Sequence, residues 1–368
     1  MNIGLCGFGV VGRGVYEIVR QRLDMKVKKI LCLEDIQLPD AQTVKDFSEI
    51  LNDPEIDTVV EAMGGLHPSY DFARAALEAG KNVVSSNKAM VCTFYDQLVP
   101  LAAKKGVSLR CTAAVGGGIG WLSELERARR VQTINQVGGI MNGTCNYILD
   151  NMTRLGLGYD EALKQAQKLG YAEANPATDV DGIDTWHKVI LSANVAFGIS
   201  LDKTTVPVSG IRNISAADVD CFKAHGKVCK LISTAKRTED GFSAYVQPTL
   251  VAAGSPEGAV PLNYNLITFI GQTSERMSFY GQGAGRYPTA YNVVQDLVDV
   301  TQGKSFYAPY GAPQAADNQE AHRYYVRGDW EGSIQEDWST GVITAPVPVS
   351  QMHQWLQAHP QAFIARVD

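Results

Sequence analysis

A glycine-rich turn near the N-terminus, G-F-G-V-V-G at residues 7–12, constrains the fold more than any other part of the sequence. It follows a short apolar run at 2–6, which predicts a strand, and it opens a stretch whose apolar residues have helical spacing. In that context Gly7 permits a tight turn, Gly9 lets a phosphate approach the backbone, and Gly12 allows close helix–strand packing. The pattern predicts a strand–turn–helix unit that binds a dinucleotide at the helix N-terminus, the alternative being a turn without a ligand.

Strand and helix patterns alternate after this turn. Apolar runs at 27–33, 57–63 and 81–85 predict strands, and the spacing at 70–79 predicts a helix. Because such alternation requires crossover connections, it predicts a parallel sheet.

The acidic end of the second predicted strand bears on the cofactor. Glu34 and Asp35 stand where an acid would bind a ribose 2′-hydroxyl, and the sequence has no arginine at that strand end to meet a 2′-phosphate. This favours NAD over NADP, although Lys45 or another loop lysine could supply the missing charge.

The pattern changes at residues 115–120, V-G-G-G-I-G, which suit a loop or hinge. Mixed elements follow. Helices are predicted at 122–130, 147–169 (broken by glycines) and 292–301, and strands at 134–141, 242–250, 324–326 and 363–367, the last two weakly. The fold class predicted is α/β, with an N-terminal Rossmann-type nucleotide-binding domain, an α+β substrate and dimerisation domain and a short C-terminal extension.

Composition excludes several other classes of protein. The net charge of −6 and pI of about 5.6 argue against a nucleic-acid or anionic-membrane surface. No apolar run reaches the roughly 18 to 20 residues of a membrane span, and the N-terminus lacks the basic start of a signal peptide. The seven cysteines include no C-x-x-C pair and are expected to be reduced core residues, so a cytoplasmic location is predicted.

The densest polar cluster lies at 170–188, G-Y-A-E-A-N-P-A-T-D-V-D-G-I-D-T-W-H-K. It holds four acids and one lysine, namely Glu173, Asp179, Asp181, Asp184 and Lys188. Acids this close repel one another unless a cation or a substrate ammonium lies among them. Since the apolar run that follows predicts a core helix, the cluster predicts a binding or catalytic site.

Two lysines are candidates for chemistry. Asp184 and Lys188 are four residues apart, so on a helix they share a face and can form a partly buried ion pair. Burial would lower the lysine pKa and the carboxylate would raise it, and a purely structural salt bridge is an equal alternative. Lys88, in S-S-N-K-A-M at 85–90, follows the carboxyl end of a predicted parallel strand, where ligands bind, although a surface lysine is the more common case.

With these residues in view, the chain resembles homoserine dehydrogenases over roughly residues 1–300. The matching motifs occur in order at 7–15, 53–65, 85–91, 113–119, 139–149, 170–184 and 280–290. The resemblance implies reversible hydride transfer between NAD or NADP and L-aspartate 4-semialdehyde, giving L-homoserine for threonine and methionine biosynthesis, by a homodimer or homotetramer. The alternatives are a relative acting on another small hydroxy-amino acid or aldehyde, and a catalytically silent ligand sensor, against which the retained lysines and acids argue.

The resemblance also implies roles for individual residues. Lys188 would donate and accept the proton at the substrate oxygen, Lys88 would lie between nicotinamide and substrate, and Asp184 would orient Lys188. The substrate residues are Glu173, Asp179, Asp184, Thr144 and Gly143. The cofactor residues are Gly7, Phe8, Gly9, Val10, Val11, Gly12, Glu34, Lys88, Gly170, Gly283 and Ala284.

A monovalent cation, usually sodium, is also implied, bound by the carbonyls of Val115, Gly117 and Ile119 and by a glutamate. Thr112 stands at the glutamate position, so a weaker ion site is expected. Other departures are Gly120 for proline, Cys145 for threonine and Asn175 for aspartate, of which the last two could alter substrate choice.

Domain boundaries are predicted at 1–120 (completed by about 286–315) for nucleotide binding, 121–285 for substrate binding and dimerisation, and 316–368 for the extension. Many relatives carry a C-terminal threonine-binding module. Because the tail is too short for a full module, a remnant is expected and feedback inhibition is doubtful.

Overall fold

A computed structural model describes residues 1–305 and 311–368. They form two compact units. The first unit comprises Met1–Val131, Asn194–Ser200 and Gln282–Pro313, and the second comprises Gln132–Ala193, Leu201–Gly281 and Gln314–Asp368. The predicted completion of the first domain by 286–315 includes residues 306–310, which lie outside the described residues.

The strands and helices of both units are numbered here in chain order. The strands are β1 (Asn2–Cys6), β2 (Lys26–Leu31), β3 (Gln42–Val44), β4 (Thr58–Glu61), β5 (Asn82–Ser85), β6 (Leu109–Arg110), β7 (Ile134–Ile140), β8 (Lys227–Arg237), β9 (Phe242–Ala252), β10 (Tyr264–Gly271), β11 (Glu275–Gln282), β12 (Ala321–His322), β13 (Tyr324–Arg327), β14 (Ile334–Trp338), β15 (Gly341–Thr344), β16 (Val347–Pro348) and β17 (Phe363–Val367). The helices are α1 (Val10–Val19), α2 (Ser48–Leu51), α3 (Ser69–Glu78), α4 (Lys88–Thr93), α5 (Tyr95–Lys105), α6 (Trp121–Ala128), α7 (Gly143–Leu155), α8 (Tyr159–Lys168), α9 (Ala177–Val180), α10 (Ile183–Phe197), α11 (Ala216–Ala224), α12 (Arg286–Thr301) and α13 (Val349–Ala358), with short 3₁₀ turns at Thr112–Ala114 and Lys203–Thr205.

The first unit is built on a six-stranded parallel sheet in the order β3-β2-β1-β4-β5-β6. The central strand β1 pairs in parallel with β2 on one side and β4 on the other. Helix α12 packs against α1, and Val293 and Leu297 share a buried core with Leu5 and Val15. This strand order is that of the doubly wound dinucleotide-binding fold, so the predicted Rossmann-type α/β class is confirmed.

The elements predicted for the first unit are present, but one helix begins earlier than predicted, and three helices (α2, α4 and α5) and two short strands were not predicted. The predicted strands correspond to β1, β2, β4 and β5, whereas β3 and β6 were missed because two or three residues carry no alternating pattern. Helix α12 begins at Arg286 rather than at 292. Gly285, at φ +128°, caps it, and Pro288 fits in the first turn, where no intrahelical N–H bond is required.

The second unit contains a nine-stranded mixed sheet in the order β11-β10-β7-β8-β9-β17-β13-β15-β14. Its longest pairing is the antiparallel ladder of β8 and β9, which runs from Lys227 opposite Ala252 to Arg237 opposite Phe242. Helices α7 and α11 pack on β8. The predicted helical stretch at 147–169 is two helices, α7 and α8, because Gly156 ends α7 in a left-handed conformation at φ +69°.

The C-terminal segment extends this sheet. Strand β17 runs parallel to β9, with Arg366 opposite Thr249, and β13 pairs antiparallel with β17. Tyr325 Oη donates a 2.6 Å hydrogen bond to the buried Asp218 of α11, and Arg327 Nε donates one of 3.0 Å to the same carboxylate. The weakly predicted strands at 324–326 and 363–367 are therefore real, since neighbouring strands stabilise them.

Two further predictions concern flexibility and cysteines. The 115–120 loop is mostly buried and is packed against Gly283 and Pro288 of the same unit, so it is a fixed turn and not an open hinge. All seven cysteines are free thiols, as predicted, and only Cys32 is not buried. Among the described residues, no helix combines the length and apolar character of a membrane span.

Candidate active site

The glycine turn of the first unit leaves the start of α1 open. Gly7 is held at φ +96°, where a Cβ would lie 2.7 Å from the Ala62 carbonyl oxygen, and a Cβ at Gly12 would lie 2.1 Å from the Gly7 oxygen. At Gly9, the N-cap of α1, a Cβ would meet no atom within 4 Å. The N–H groups of the first helical turn therefore remain accessible to a phosphate.

A pocket of about 850 Å³ opens in front of this turn. Six of the predicted cofactor residues line it, namely Gly7, Phe8, Gly9, Val10, Val11 and Glu34. Most of its apolar wall, which includes Leu31, Met63 and Phe72, was not predicted from the sequence. Leu31 and Met63 lie at or just beyond the carboxyl ends of β2 and β4, where ligands bind in such sheets, so position relative to the strands was the available signal.

An arginine stands at the acidic end of β2, contrary to the sequence-based prediction. Arg13, in the first turns of α1, places Nη2 3.1 Å from Glu34 Oε2. Lys45 pairs in turn with Asp35 at 2.7 Å. Both pairs are largely exposed, so solvent screens them. The argument that no arginine could meet a 2′-phosphate here is therefore wrong, because the helix brings Arg13 beside the strand end.

The loop that carries Lys88 is fixed by hydrogen bonds at the carboxyl ends of β4 and β5. Ser85 Oγ donates to the buried Glu61 at 2.6 Å. Asn87 Nδ2 donates to the Gly65 carbonyl at 2.7 Å, and its Oδ1 accepts from Met90 N at 3.1 Å as the N-cap of α4. Lys88 is thus the first residue of a capped helix at the ligand-binding edge of the sheet, and it is half-buried.

The ion pair predicted from the four-residue spacing is present in the second unit. Lys188 Nζ lies 2.7 Å from Asp184 Oδ2, and both side chains are more than 90% buried. Lys188 Nζ also donates a 2.6 Å hydrogen bond to the Met141 carbonyl at the end of β7. Because both partners accept from the ammonium, its position is set from two directions.

Asn142, which the sequence analysis did not single out, connects the acids. Its Nδ2 donates to Asp179 Oδ1 at 2.7 Å and to Asp184 Oδ2 at 2.8 Å. Its Oδ1 accepts from Cys145 N at 2.8 Å, which caps α7. One neutral side chain therefore holds two carboxylates beside Lys188 and starts the helix that carries Gly143 and Thr144. The N-cap pattern N-G-T-C before an apolar helix was the signal that could have revealed it.

The first turn of α7 adds further contacts to this cluster. Thr144 Oγ1 donates to the Tyr171 carbonyl at 2.6 Å. Cys145 Sγ donates to the Asp179 carbonyl at 3.1 Å. Burial, with the nearby Asp179 charge, raises the pKa of the Cys145 thiol well above its usual value, so the thiol is not reactive.

Two of the four acids lie apart from the pair. Asp181 forms a bidentate ion pair with Arg212, with both distances 2.8 Å. Glu173 is exposed, and among the described contacts only its backbone carbonyl is bonded, to Gln167 Nε2 at 3.1 Å. The neighbouring Asn175 accepts from Ala177 N at 3.2 Å through its side chain. The repulsion expected among the acids is thus relieved by Arg212, Asn142 and Lys188.

The other predicted cofactor residues fall in both units. Gly283 and Ala284 lie between β11 and α12 in the first unit, and Gly170 follows α8 in the second, at φ +76°. None of these three lies among the described residues that line the pocket.

The predicted cation loop does not fit an ion well. The Gly117 carbonyl accepts from Asn292 Nδ2 at 2.5 Å, and the Ile119 carbonyl accepts from Trp121 N at 2.7 Å. Thr112 Oγ1 is bonded to Ser123 and to Asp296, each at 2.7 Å. Two of the three predicted carbonyl ligands, those of Gly117 and Ile119, therefore already accept N–H donors, and Thr112 carries no charge for an ion.

Comparisons with known proteins agree with the geometry of both units. A family model described as "Homoserine dehydrogenase" matches residues 121–298, and one described as "Homoserine dehydrogenase, NAD binding domain" matches residues 7–112. The chain is 34% identical over 330 residues to the homoserine dehydrogenase of Bacillus subtilis (strain 168), which is 84% of this chain and 76% of that relative.

Solved structures give the same result. The crystal structure of a homoserine dehydrogenase from Thiobacillus denitrificans matches with a TM-score of 0.87 and 28% identity, covering 100% of this chain and 98% of that one. A hyperthermophilic archaeal homoserine dehydrogenase in complex with NADPH matches with a TM-score of 0.72 and 21% identity, covering 83% of this chain and 99% of that one, and so shows the fold alone. The resemblance drawn from the motifs is confirmed, and the alternatives of another substrate or a silent sensor are disfavoured. The chain belongs to the homoserine dehydrogenase family of oxidoreductases and contains that family's NAD-binding domain.

Proposed function

We propose that this protein interconverts L-aspartate 4-semialdehyde and L-homoserine with Lys188 as the proton donor and acceptor at the substrate oxygen. The observation that carries the proposal is the buried Lys188 ammonium, held by Asp184 at 2.7 Å and by the Met141 carbonyl at 2.6 Å. An ammonium has three N–H donors, and these contacts use two of them. These two contacts fix the direction of the third N–H, and we infer that it donates a hydrogen bond to the substrate oxygen.

The chemistry of this lysine follows from its charge. A nicotinamide cofactor, when bound, would supply or accept the hydride, and Lys188 would handle the proton. As semialdehyde is reduced, negative charge develops on the oxygen, and the positioned ammonium of Lys188 stabilises that charge and transfers a proton to it. In the reverse direction neutral Lys188 accepts the hydroxyl proton, while Asp184 keeps the nitrogen in place.

We assign substrate binding to Glu173, Asp179 and Asp184, with Thr144 and Gly143 at the start of α7. Carboxylates recognise an amino-acid ammonium by charge-assisted hydrogen bonds. The buried position of Asp184 and the Asn142 bridge to Asp179 support this assignment, because they keep two carboxylates together despite their repulsion. Glu173 and Lys88 are assigned from the family motifs at their positions.

We infer a modest preference for NAD over NADP. Glu34 lines the nucleotide pocket and can accept a hydrogen bond from a ribose 2′-hydroxyl. Arg13 could bind a 2′-phosphate, but only after its ion pair with Glu34 is broken and the phosphate is brought beside that carboxylate. The phosphates themselves are assigned to the 7–12 turn.

We also propose roles for the domains and an assembly. Residues 1–120, completed by about 286–315, would bind nucleotide, 121–285 would bind substrate and dimerise, and 316–368 would form a small C-terminal extension. The exposed Met277 and Tyr280 on the edge strand β11 support a homodimer or homotetramer. A cytoplasmic location would suit a step of threonine and methionine biosynthesis.

The deciding experiment is a steady-state assay of purified protein with L-homoserine and either NAD or NADP, following reduced nicotinamide by absorbance. Oxidation of L-homoserine is expected with both nucleotides, with higher kcat/KM for NAD. L-serine and L-threonine serve as comparison substrates. Turnover of another hydroxy-amino acid without turnover of homoserine would refute the proposed substrate, and absence of turnover with cofactor binding retained would favour a sensor.

A further inference from the structure

The buried 115–119 loop of the first unit accepts a hydrogen bond from the side chain of Asn292 in helix α12. Gly117, at φ +50°, lies so close to the next segment that a Cβ would be 2.6 Å from the Gly283 oxygen. The side chain of Asn292 is 98% buried and donates to the Gly117 carbonyl at 2.5 Å. An amide N–H therefore points its positive end at an oxygen that would otherwise need a cation or another donor.

The side chain at position 112 is also fully used. Thr112 Oγ1 lies 2.7 Å from Asp296 Oδ1 and 2.7 Å from Ser123 Oγ. Since the carboxylate only accepts, Thr112 donates to Asp296 and accepts from Ser123. Thr112 N donates to Asp296 Oδ2 at 2.7 Å. Position 112 thus offers no negative charge to an ion.

Cationic side chains of the protein already pair with the acids of this region, among them Lys304 with Asp299 at 2.9 Å and Arg130 with Glu126 at 3.7 Å. Arg110 is completely buried and contacts Asp296 at 3.0 Å, Asp299 at 2.8 Å and Glu126 at 3.3 Å. The carboxylate of Asp296 is therefore neutralised by a side chain of the protein. An alkali ion in the loop would have to compete with Asn292 Nδ2 and Trp121 N, which already donate to the Gly117 and Ile119 carbonyls.

We propose that Asn292 replaces the monovalent cation in this chain, so that the loop keeps its shape and the enzyme acts independently of sodium and potassium. The amide supplies the positive end of a dipole where a cation would supply a full charge. Because an amide is part of the chain, it needs no ion concentration to stay in place. In the experiments below, the activity measurement rests on the proposed function, whereas the melting-temperature and sodium-binding measurements do not.

The first experiment compares the wild-type protein in NaCl, KCl and choline chloride at equal ionic strength. The melting temperature is expected to differ by no more than about 1 °C among the salts, where one kcal/mol corresponds to a few degrees. Sodium NMR line widths should show no saturable binding, and kcat/KM for homoserine should change less than about twofold. A saturable rise in melting temperature or activity with sodium or potassium, but not with choline, would overturn the proposal.

The second experiment converts the amide to a carboxylate of the same shape. Asn292→Asp places a negative charge against the Gly117 carbonyl, which should lower the melting temperature in choline chloride by about 5 °C. Sodium should restore most of that loss, because a carboxylate and the loop carbonyls now form an ion site. Gln295→Glu is the matched control, since it adds the same charge on an exposed position of the same helix.

The control should respond equally to the three salts. An Asn292→Asp protein as stable as the wild type in choline chloride would show that the amide does not hold the loop. If the variant does not fold in any salt, the wild-type comparison alone decides the question.

Discussion

The side-chain Nδ2 of Asn142 lies 2.8 Å from Asp184 Oδ2, and the same nitrogen lies 2.7 Å from Asp179 Oδ1. Two carboxylates are therefore bridged by one neutral donor beside the Lys188 ammonium. The bridge explains how acids that repel one another can stay together before a substrate arrives. It also ties their position to the start of α7, which Asn142 caps.

Asn142→Asp should impair turnover more than it impairs folding. An aspartate still accepts the cap hydrogen bond from Cys145, but it replaces the bridging donor with a third negative charge. We expect kcat/KM for homoserine to fall about 10- to 100-fold. Rates and melting temperatures of the wild type and the variant, measured at one pH, test this.

Asn142→Ala is the comparison variant, because it loses both the cap and the bridge. It should be less stable than Asn142→Asp. A kcat/KM in Asn142→Asp close to that of the wild type would show that Asn142 has only a structural role.

Lys188→Ala should abolish turnover while leaving cofactor affinity nearly intact. The variant removes the proposed proton donor from the second unit and leaves the glycine turn of the first unit unchanged. Turnover should fall at least about 1,000-fold, and nucleotide affinity measured by fluorescence titration should change less than about twofold. A nearly normal rate would remove Lys188 from the mechanism.

The stability of Lys188→Ala should depend on Asp184. Removing the lysine leaves a buried carboxylate without its cation, which costs about 3 kcal/mol of unfolding free energy. The double variant Lys188→Ala/Asp184→Asn should regain part of that loss, because the charge is removed. Urea unfolding of the two variants measures the difference, and an equal or lower stability of the double variant would contradict the prediction.

Glu34→Gln should shift cofactor preference towards NADP. The change removes the carboxylate that would repel a 2′-phosphate and releases Arg13 from its 3.1 Å ion pair. The ratio of kcat/KM for NADP to that for NAD is expected to rise about tenfold or more. Asp35→Asn, which breaks the neighbouring pair with Lys45, is the control and should leave the ratio nearly unchanged.

The burial of His353 should make the wild-type protein less stable in mild acid than at neutral pH. Burial lowers the pKa of His353 from 6.5 to about 4, and its Nε2 is 3.0 Å from Gln247 Oε1. Below pH 6.5 the unfolded chain therefore binds a proton that the folded chain excludes, so stability falls as the pH decreases towards 4. Between pH 7 and pH 5 the loss attributable to this residue is about 2 kcal/mol.

Urea unfolding of wild type and His353→Gln at the two pH values tests this. The variant should show a smaller loss on acidification. His322, whose pKa is also lowered to about 4, is present in both proteins, so its contribution cancels in the comparison. Equal losses would mean that His353 is accessible to protons in the fold.

Local patterns predicted the parallel sheet of the first unit and part of the second unit, whose long strands β8 and β10 were not predicted. The glycine turn after β1 and the strand–helix alternation were sufficient for the parallel sheet, because both depend on neighbouring residues. The Asp184–Lys188 pair was predicted for the same reason, since helical spacing puts the two on one face. The strands β3 and β6 were missed because they are too short to show a period and are held by their neighbours.

The contacts that the sequence analysis missed join residues far apart in the chain. Arg13 reaches Glu34, Asn142 reaches Asp179 and Asp184, and Asn292 reaches Gly117. No spacing rule relates such positions, because they meet only when separate turns fold against one another.

The sequence by itself determined the order of elements, the nucleotide-binding turn and the identity of the paired lysine and acid. These follow from backbone sterics and from the helical and strand periods, which act over a few residues. Only the tertiary structure decided which polar groups become partners. It placed Arg13 beside Glu34, the Asn142 amide between two carboxylates and the Asn292 amide on a loop carbonyl. Burial requires such partners, because a charge or carbonyl removed from water loses its hydrogen bonds to water. Only a group that the fold brings next to it can replace them.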